Sequence, residues 1–154
     1  MRAQLDDESV IKANSQFWEQ MLMMTLEPQP FSVEFCLSAG HVLGWVDLGG
    51  AWKGRIEVRL DDPLAKTATA AMMMAPVEAV GDADALDAVK EIANMIAGTI
   101  KSSLPRPCTM SVPESTREAE SFCVPAKSDD TLSVAFQHAS GSLLVRILEV
   151  ECSG

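Results

Sequence analysis

Four residues recur at helical spacing inside one apolar segment and could together form a reactive face. They are Asp87, Glu91, Asn94 and Gly98 of a 154-residue chain. At about 100° per residue they fall within an arc of about 60° on one side of a helix. A carboxylate and a carboxamide one turn apart can orient a polar ligand, and a glycine lets another surface approach closely. The spacing therefore predicts a patch on a rigid helix that can do chemistry.

The same four residues also fit an ordinary solvent-exposed surface. Every amphipathic helix needs a polar side, and glutamate is common there. Asn94 and Gly98 weigh against this interpretation because both residue types are poor helix formers, together costing about 1–1.5 kcal/mol relative to alanine. Spacing alone leaves both interpretations open.

Charge and hydropathy exclude several classes of protein. Twelve basic and twenty-two acidic residues give a formal net charge of −10, which argues against binding to nucleic acids or anionic membranes. No stretch of about 18 apolar residues occurs, and the amino terminus lacks the apolar region of a signal peptide. We therefore expect a cytoplasmic protein that binds neither nucleic acid nor membrane.

The cysteines and histidines predict no metal site and no disulfide. The chain has four cysteines, and none forms a Cys-x-x-Cys pair: Cys36, Cys108, Cys123 and Cys152. Most of them lie in apolar alternating segments, where a free thiol behaves as a small hydrophobic group. His41 and His138 are far apart in sequence, so a zinc site is not indicated. We expect the cysteines to be reduced.

The first half of the chain predicts one helix, three strands and two further helices. Leu5 to Leu26 has helical periodicity, with Ser9 as a candidate cap, and residues 31–60 then alternate as three short strands separated by glycines. A second helix follows Pro63 from Leu64 to about Met74, and its run of three methionines is expected to fill the core, as are the methionines of the first helix. The helix that carries the four polar residues opens at Asp82 or Asp84 and ends near Ser103.

The second half returns to alternation and predicts strands. They cover residues 108–112, 122–124, 132–136 and 143–150, with Ser140-Gly141 as the turn of the last hairpin. The charged segment 114–120 is expected to be a connecting loop. Residues 1–154 are therefore predicted to form a single α+β domain, with a mainly antiparallel sheet and helices packed against it.

The segment Asp87-x3-Glu91-x2-Asn94-x3-Gly98 resembles the signature of the CheC/CheX/FliY chemotaxis phosphatases. The resemblance extends in weaker form over nearly the whole chain. One copy of the signature is present, which, like the chain length, is similar to the CheX-like members rather than to the two-site CheC type. The resemblance thus implies a CheX-like fold.

The resemblance also implies a reaction, hydrolysis of the aspartyl phosphate on a phosphorylated CheY-like receiver domain of a response regulator. In such a protein Asn94 orients the attacking water, and Glu91 docks to the active-site lysine of the receiver. Asp87, Lys90 and Gly98 would support the site or contact the partner. Magnesium is expected on the receiver, with no cofactor bound by this chain itself, and a homodimer is implied because a second subunit replaces the second CheC repeat.

Two other functions remain open from the sequence. Relatives in the flagellar switch share the fold without the catalytic pair, so a non-catalytic receiver-binding or switch-scaffold module is one alternative. An acidic structural domain whose helix face simply meets solvent is the other. The resemblance favours the phosphatase because Glu91 and Asn94 are both present.

Overall fold

Three helices and nine strands make up the computed structural model, which describes residues 5–30, 33–125 and 131–150. The helices are α1 (Asp7–Leu22), α2 (Asp62–Met73) and α3 (Asp82–Lys101), and a 3-10 turn at Val77–Ala79 precedes α3. The strands are β1 (Glu27–Pro28), β2 (Glu34–Leu37), β3 (Val42–Gly50), β4 (Gly54–Leu60), β5 (Cys108–Met110), β6 (Glu114–Arg117), β7 (Phe122–Pro125), β8 (Thr131–His138) and β9 (Gly141–Glu149).

Seven of the strands form one sheet. Its order is β1-β8-β9-β4-β3-β5. Strands β5 and β6 both pair with the same edge of β3, β5 with residues 48–50 and β6 with residues 42–45. All the pairings are antiparallel. Strands β2 and β7 form a separate two-stranded ribbon. The predicted α+β class with a mainly antiparallel sheet is therefore confirmed.

The two faces of the sheet are covered in different ways. Alternate residues of β3, β4, β8 and β9 face the helices and build the main hydrophobic core with them. The opposite face carries a smaller apolar cluster, formed where the β2–β7 ribbon packs on β8 and β9: Phe35, Leu37, Val124, Ala135 and Leu144. The helices thus lie on one side of the sheet and the ribbon on the other.

Charged side chains of β4 and β9 lie on the same face of the sheet as this cluster. Glu57 is buried and accepts hydrogen bonds from Arg59 Nε at 3.0 Å and from Arg146 Nη1 at 2.7 Å. The Phe122 ring of β7 lies 3.5 Å below the guanidinium carbon of Arg59. Burial lowers the pKa of Arg146, an effect that the charge of Glu57 opposes. The buried charges are therefore paired, as burial requires.

Helix α1 is shorter than the sequence predicts, and its cap differs. It begins at Asp7, because the carboxylate of Asp6 caps it by accepting the Ser9 N–H at 2.8 Å. Ser9 is therefore the donor in the cap and not the capping residue, which corrects the prediction. The helix ends at Leu22, where Met23 takes a left-handed conformation with φ of 54°.

The expectation that the methionines fill the core is wrong for several of them. Met72 packs partly against the core, but Met74 is 94% exposed and Met73 is also exposed. Met21 of α1 is 56% exposed. For Met74 the reason is local: it takes a left-handed conformation just after the last turn of α2, so its side chain leaves the helical pattern from which its burial was predicted.

The segment predicted as a connecting loop contains a strand. Glu114–Arg117 forms β6, which pairs with residues 42–45 of β3. Its burial alternates only between exposed and half-buried positions, so its sequence carries none of the apolar alternation that identifies a strand. Edge strands often have this polar composition.

The cysteine prediction is wrong for one pair. Cys36 and Cys123 are joined by a disulfide that links β2 to β7, whereas Cys108 is a buried free thiol and Cys152 lies outside the described residues. The two partners are 87 residues apart, so no local spacing indicates the pairing. Because one cysteine pair is oxidised, the cysteines do not support the predicted cytoplasmic location. That location stays a prediction. None of the helices in the described part of the chain has the length and apolar character needed to cross a membrane.

Helix α3 lies very close to the sheet at Gly44 of β3. A Cβ added at this glycine would lie 2.8 Å from the Val89 carbonyl oxygen, 2.9 Å from Val89 Cγ1 and 3.2 Å from Ala93 Cβ. Cβ atoms do not approach backbone this closely, so only glycine permits the observed helix–sheet distance. Gly44 thereby fixes the depth at which α3 rests on the sheet.

The substitution Gly44→Ala should lower the free energy of unfolding by about 1–3 kcal/mol, because the helix must move away from β3 to admit the methyl group. Urea unfolding monitored by tryptophan fluorescence measures it. Gly49→Ala on the same strand is the matched control, since the one atom of the described residues within 4 Å of its added Cβ is Thr109 Oγ1, at 3.9 Å. Equal losses in the two variants would contradict the role assigned to Gly44.

Candidate functional site

Helix α3 buries one side and exposes the other, as its spacing predicts. Its buried side packs into the main core: Ala85, Ala88, Val89, Ile92, Ala93, Ile96, Ala97 and Ile100. The opposite side presents Asp87, Glu91, Asn94 and Gly98, which we call the α3 face. The structure therefore brings all four residues together on one surface of a helix held rigidly by the sheet.

The side chains of the α3 face are accessible to a partner. Asp87 is 81% exposed and forms only a long ion pair with Lys90, with 3.9 Å between Oδ1 and Nζ. Glu91 is exposed, and Asn94 is half-buried. Within the described part of the chain, neither of these two side chains has a hydrogen-bond or ion-pair partner. Their polar atoms are thus free to bind groups that another molecule supplies.

The start of α3 is fixed by a capping interaction. Gly81 is the N-cap residue, and its N–H donates to the Asp84 carboxylate at 3.0 Å. Asp82 and Asp84 lie in the first turn, where negative charge interacts favourably with the helix dipole. The predicted helix start at Asp82 is confirmed, and Asp84 acts from the third helical position.

Strand β6 attaches the same end of α3 to the rest of the fold. Arg117 Nη1 donates to the Gly40 carbonyl oxygen at 2.7 Å and to Asp62 Oδ1 at 2.6 Å, while Nη2 lies 3.3 Å from Asp82 Oδ1. Ser115 Oγ donates to the Leu86 carbonyl oxygen at 2.7 Å. One arginine thus connects β6, α2, α3 and the turn before β3, and this positions the α3 face.

The contact with Arg117 affects the pKa of the Asp62 carboxylate. Partial burial is the largest influence and acts to raise its pKa, but the hydrogen bond and charge of Arg117, together with Lys66, outweigh it. The pKa of Asp62 is therefore lowered. The ion pair with Arg117 accordingly stays intact at neutral pH.

A groove of about 480 Å³ opens beside the C-terminal end of the α3 face. We call it the basic groove, and its lining is Gly98, Lys101, Ser102, Arg106, Pro107 and Cys108. A Cβ added at Gly98 would have no atom of the described residues within 4 Å, so the glycine leaves the entrance to this groove open.

A second depression of about 480 Å³ lies on the Glu91 side of α3. It lies on the surface where α1, α2 and α3 meet, and its lining residues are all apolar: Phe17, Met21, Leu22, Met23, Ala71, Met72, Met74 and Met95. The α3 face is therefore bordered by an apolar surface on one side and by a basic groove at one end.

One group of three potential metal ligands occurs among the described residues, and it lies away from the α3 face. It consists of Glu34, Cys36 and Cys123 on the β2–β7 ribbon, where the two sulfur atoms are already bonded to each other. Disulfide sulfur is not the thiolate that binds metals. The expectation that this chain binds no metal of its own stays a prediction.

The sequence identified the α3 face but missed part of its surroundings. Lys101 follows Asn94 at helical spacing and was recognisable as a neighbour. Arg106 lies beyond the end of the helix, after Pro105, so periodicity could not place it. Arg117 was missed because its segment read as a loop.

A protein-family model matches the central part of the chain. The family model described as chemotaxis phosphatase CheX matches residues 42–137, which is more than half of the chain and includes the whole α3 face. The comparison with curated protein sequences gave no match.

Solved structures share the fold over nearly the full length. Chemotaxis protein CheX from Vibrio vulnificus has a TM-score of 0.75 at 19% identity, covering 97% of this chain and 100% of that chain. A CheC-like superfamily protein from Shewanella sp. PV-4 has a TM-score of 0.74 at 19% identity, covering 96% and 100%. The CheX–CheY–BeF3–Mg²⁺ complex from Borrelia burgdorferi has a TM-score of 0.67 at 19% identity, covering 94% and 97%.

These identities are low enough that the structural likeness establishes the fold alone. The match to the family model, by contrast, is a match of sequence that runs from β3 into β8 and includes α3 with its four polar residues. The chain therefore belongs to the chemotaxis phosphatase CheX family.

Proposed function

We propose that this chain hydrolyses the aspartyl phosphate of a CheY-like receiver domain, with Asn94 orienting the attacking water and Glu91 docking to the receiver's active-site lysine. The observation that supports it best is the pair itself. Glu91 and Asn94 lie on one accessible helix face without partners in the described chain. The similar structure from Borrelia burgdorferi, a complex of CheX with CheY, supports a receiver as the partner.

The chemistry of phosphoryl transfer suits a neutral carboxamide. The reaction passes through a loose transition state, so catalysis consists mostly of positioning and of electrostatic stabilisation. The amide of Asn94 offers both a donor and an acceptor and can hold a water in line with the phosphorus. A carboxylate at this position would repel the anionic phosphoryl group. Asn94 therefore supplies orientation without adding negative charge.

The surroundings of Asn94 favour this role over a purely solvated one. The side chain is half-buried, so part of its conformational freedom is already restricted before a partner binds. The buried residues on either side of it, Ala93 and Ile96, pack in the main core and hold the backbone in place. A preorganised group loses less entropy in reaching the transition state.

Glu91 is suited to docking rather than to chemistry. It is exposed, lies one helical turn before Asn94, and can pair with a cation of the partner. An exposed ion pair of this kind contributes about 1 kcal/mol. Its contribution should consequently appear in affinity. The magnesium expected on the receiver and the homodimer implied by the family resemblance stay predictions.

The alternative is a module that binds the receiver without hydrolysing its phosphate. It uses the same face, and the fold is compatible with it because a fold does not determine activity. Binding of phosphorylated receiver without accelerated release of phosphate would favour it.

Replacing Asn94 by alanine should reduce kcat for dephosphorylation by about 100-fold or more, because the water loses its orienting group. Asn94→Asp, although nearly isosteric, should be at least as inactive since it adds charge next to the phosphoryl group. Phosphate release from a CheY receiver labelled by a small-molecule phosphodonor is the measurement.

Gln20→Ala serves as the control, since it removes an exposed carboxamide from α1 and should leave turnover unchanged. Undiminished turnover by Asn94→Ala would show that the assigned mechanism is wrong.

Replacing Glu91 by glutamine should raise KM about fivefold while kcat stays close to that of the wild-type protein, because one exposed ion pair is lost. Steady-state kinetics over a range of receiver concentrations separates the two constants. Glu19→Gln, which neutralises an exposed carboxylate on α1, provides the comparison. A fall in kcat with unchanged KM would instead place Glu91 in the chemical step.

Replacing Gly98 by alanine should raise the free energy of unfolding by about 0.5–1 kcal/mol, because alanine is a better helix former and the new Cβ meets no atom in the described part of the chain. Gly98→Gln should also fold but raise KM, since its longer side chain occupies the approach of the partner. Ala83→Gln, at an exposed position in the first turn of α3, is the matched control for kinetics. Wild-type KM in Gly98→Gln would rule out the access role of this glycine.

A further inference from the structure

The basic groove continues the α3 face along the helix. Lys101 is seven residues after Asn94, which places it about 10 Å further along the axis and within about 20° of the same side. Gly98 lies between them and lines the groove. A partner seated on Asn94 would therefore extend over the groove entrance.

The two cations of the groove have no ion-pair partners within the described residues. Six other basic residues do have a carboxylate within 4.0 Å: Arg55, Arg59, Lys66, Lys90, Arg117 and Arg146. Lys101 and Arg106 line one depression together and remain unpaired, although the chain carries a net charge of −10. Their charge is thus available to an outside group.

The shape of the groove fits a chain segment better than a single ion. Its volume of about 480 Å³ lies in the usual range of ligand sites, and the wall formed by Gly98, Ser102 and Pro107 has no bulky side chains. A short loop carrying carboxylates could enter and place an oxygen near each cation.

The proposed substrate would carry such carboxylates. Magnesium at a phosphoryl site is held mainly by carboxylate oxygens, so a receiver domain with its bound ion presents acidic side chains around the reacting group. The net charge of this chain would repel them. Two unpaired cations beside the α3 face offset that repulsion locally, where opposite charges raise the association rate and fix the orientation of the partner.

We propose that the basic groove is an electrostatic docking site for a carboxylate-bearing segment of the receiver, with Lys101 and Arg106 as its binding residues. The inference rests on the proposed function and extends it from the reacting pair to the surface that recognises the partner. The groove acts on affinity and orientation and takes no part in hydrolysis.

Charge reversal tests the proposal. In Lys101→Glu/Arg106→Glu, KM for phosphorylated CheY at low salt should rise about tenfold with kcat unchanged, and the difference from wild type should shrink as sodium chloride is added. Lys101→Arg should keep the wild-type KM because it keeps the charge. Lys12→Glu/Lys53→Glu is the matched control, since it changes net charge equally at two exposed lysines outside the groove.

The outcomes separate the two proposals. If Asn94→Ala loses turnover but the groove variant behaves like the control pair, the docking site is wrong and the proposed function stands. If wild-type protein releases no phosphate, yet calorimetry shows that it binds the receiver and that the groove variant binds more weakly, the docking site stands and the phosphatase fails. A wild-type protein that neither binds nor dephosphorylates the receiver overturns both. Thermal unfolding of each variant identifies any that misfolds.

Discussion

The contact between α3 and β3 at Gly44 is the constraint on which the candidate site depends. The absence of a side chain at this one strand position lets the Val89 backbone lie against the sheet, so the apolar side of α3 is fully used in packing. The side chains on the exposed side of α3 are then not needed for packing and can contact a partner. The attachment of its first turn through Arg117 fixes the helix along the strand direction as well, because one guanidinium reaches acidic groups on both α2 and α3. Depth and direction are thus set by separate interactions, and neither of them uses the side chain of Glu91 or Asn94.

The part of the fold that could be predicted from the sequence is the part governed by local periodicity. The three helices and the strands of β3, β4, β8 and β9 carry apolar residues at regular spacing, and their existence was predicted with bounds within a few residues. Strand β6 was missed because it lies at an edge, pairs on one side, and has no buried face to impose alternation. The disulfide was missed because the pairing of β2 with β7 brings together residues that are far apart in the chain. Pairing between distant residues leaves little trace in local sequence spacing. The contacts of Arg117 with α2 and α3 also join residues that are distant in sequence.

The candidate site likewise contains residues that sequence periodicity predicts and residues that it does not. Asp87, Glu91, Asn94 and Gly98 share one helix, so their common face follows from 3.6-residue periodicity alone. Arg106 joins them only because the chain turns after the helix, and Met23 and Met74 are exposed where α1 and α2 end in left-handed residues. The exposed methionines are adaptable in shape, which suits a surface that meets another protein, yet nothing in their spacing distinguishes them from core residues. To decide whether such residues are buried or exposed, one must know where each helix ends, and sequence periodicity predicts helix ends poorly.

The disulfide between Cys36 and Cys123 has a topological consequence. It closes a covalent ring that contains Gly44, α2, all of α3, the basic groove and Arg117, so every residue assigned to the site or to its positioning lies inside one loop of the chain. In the chain-entropy model a closure of this length disfavours the unfolded state by up to about 4–5 kcal/mol. The cross-link is on the opposite side of the sheet from the helices, yet it confines the segment that carries the site even when the fold opens. A single cleavage within the ring would leave the two pieces covalently joined, so the site-bearing segment would not be lost as a free fragment.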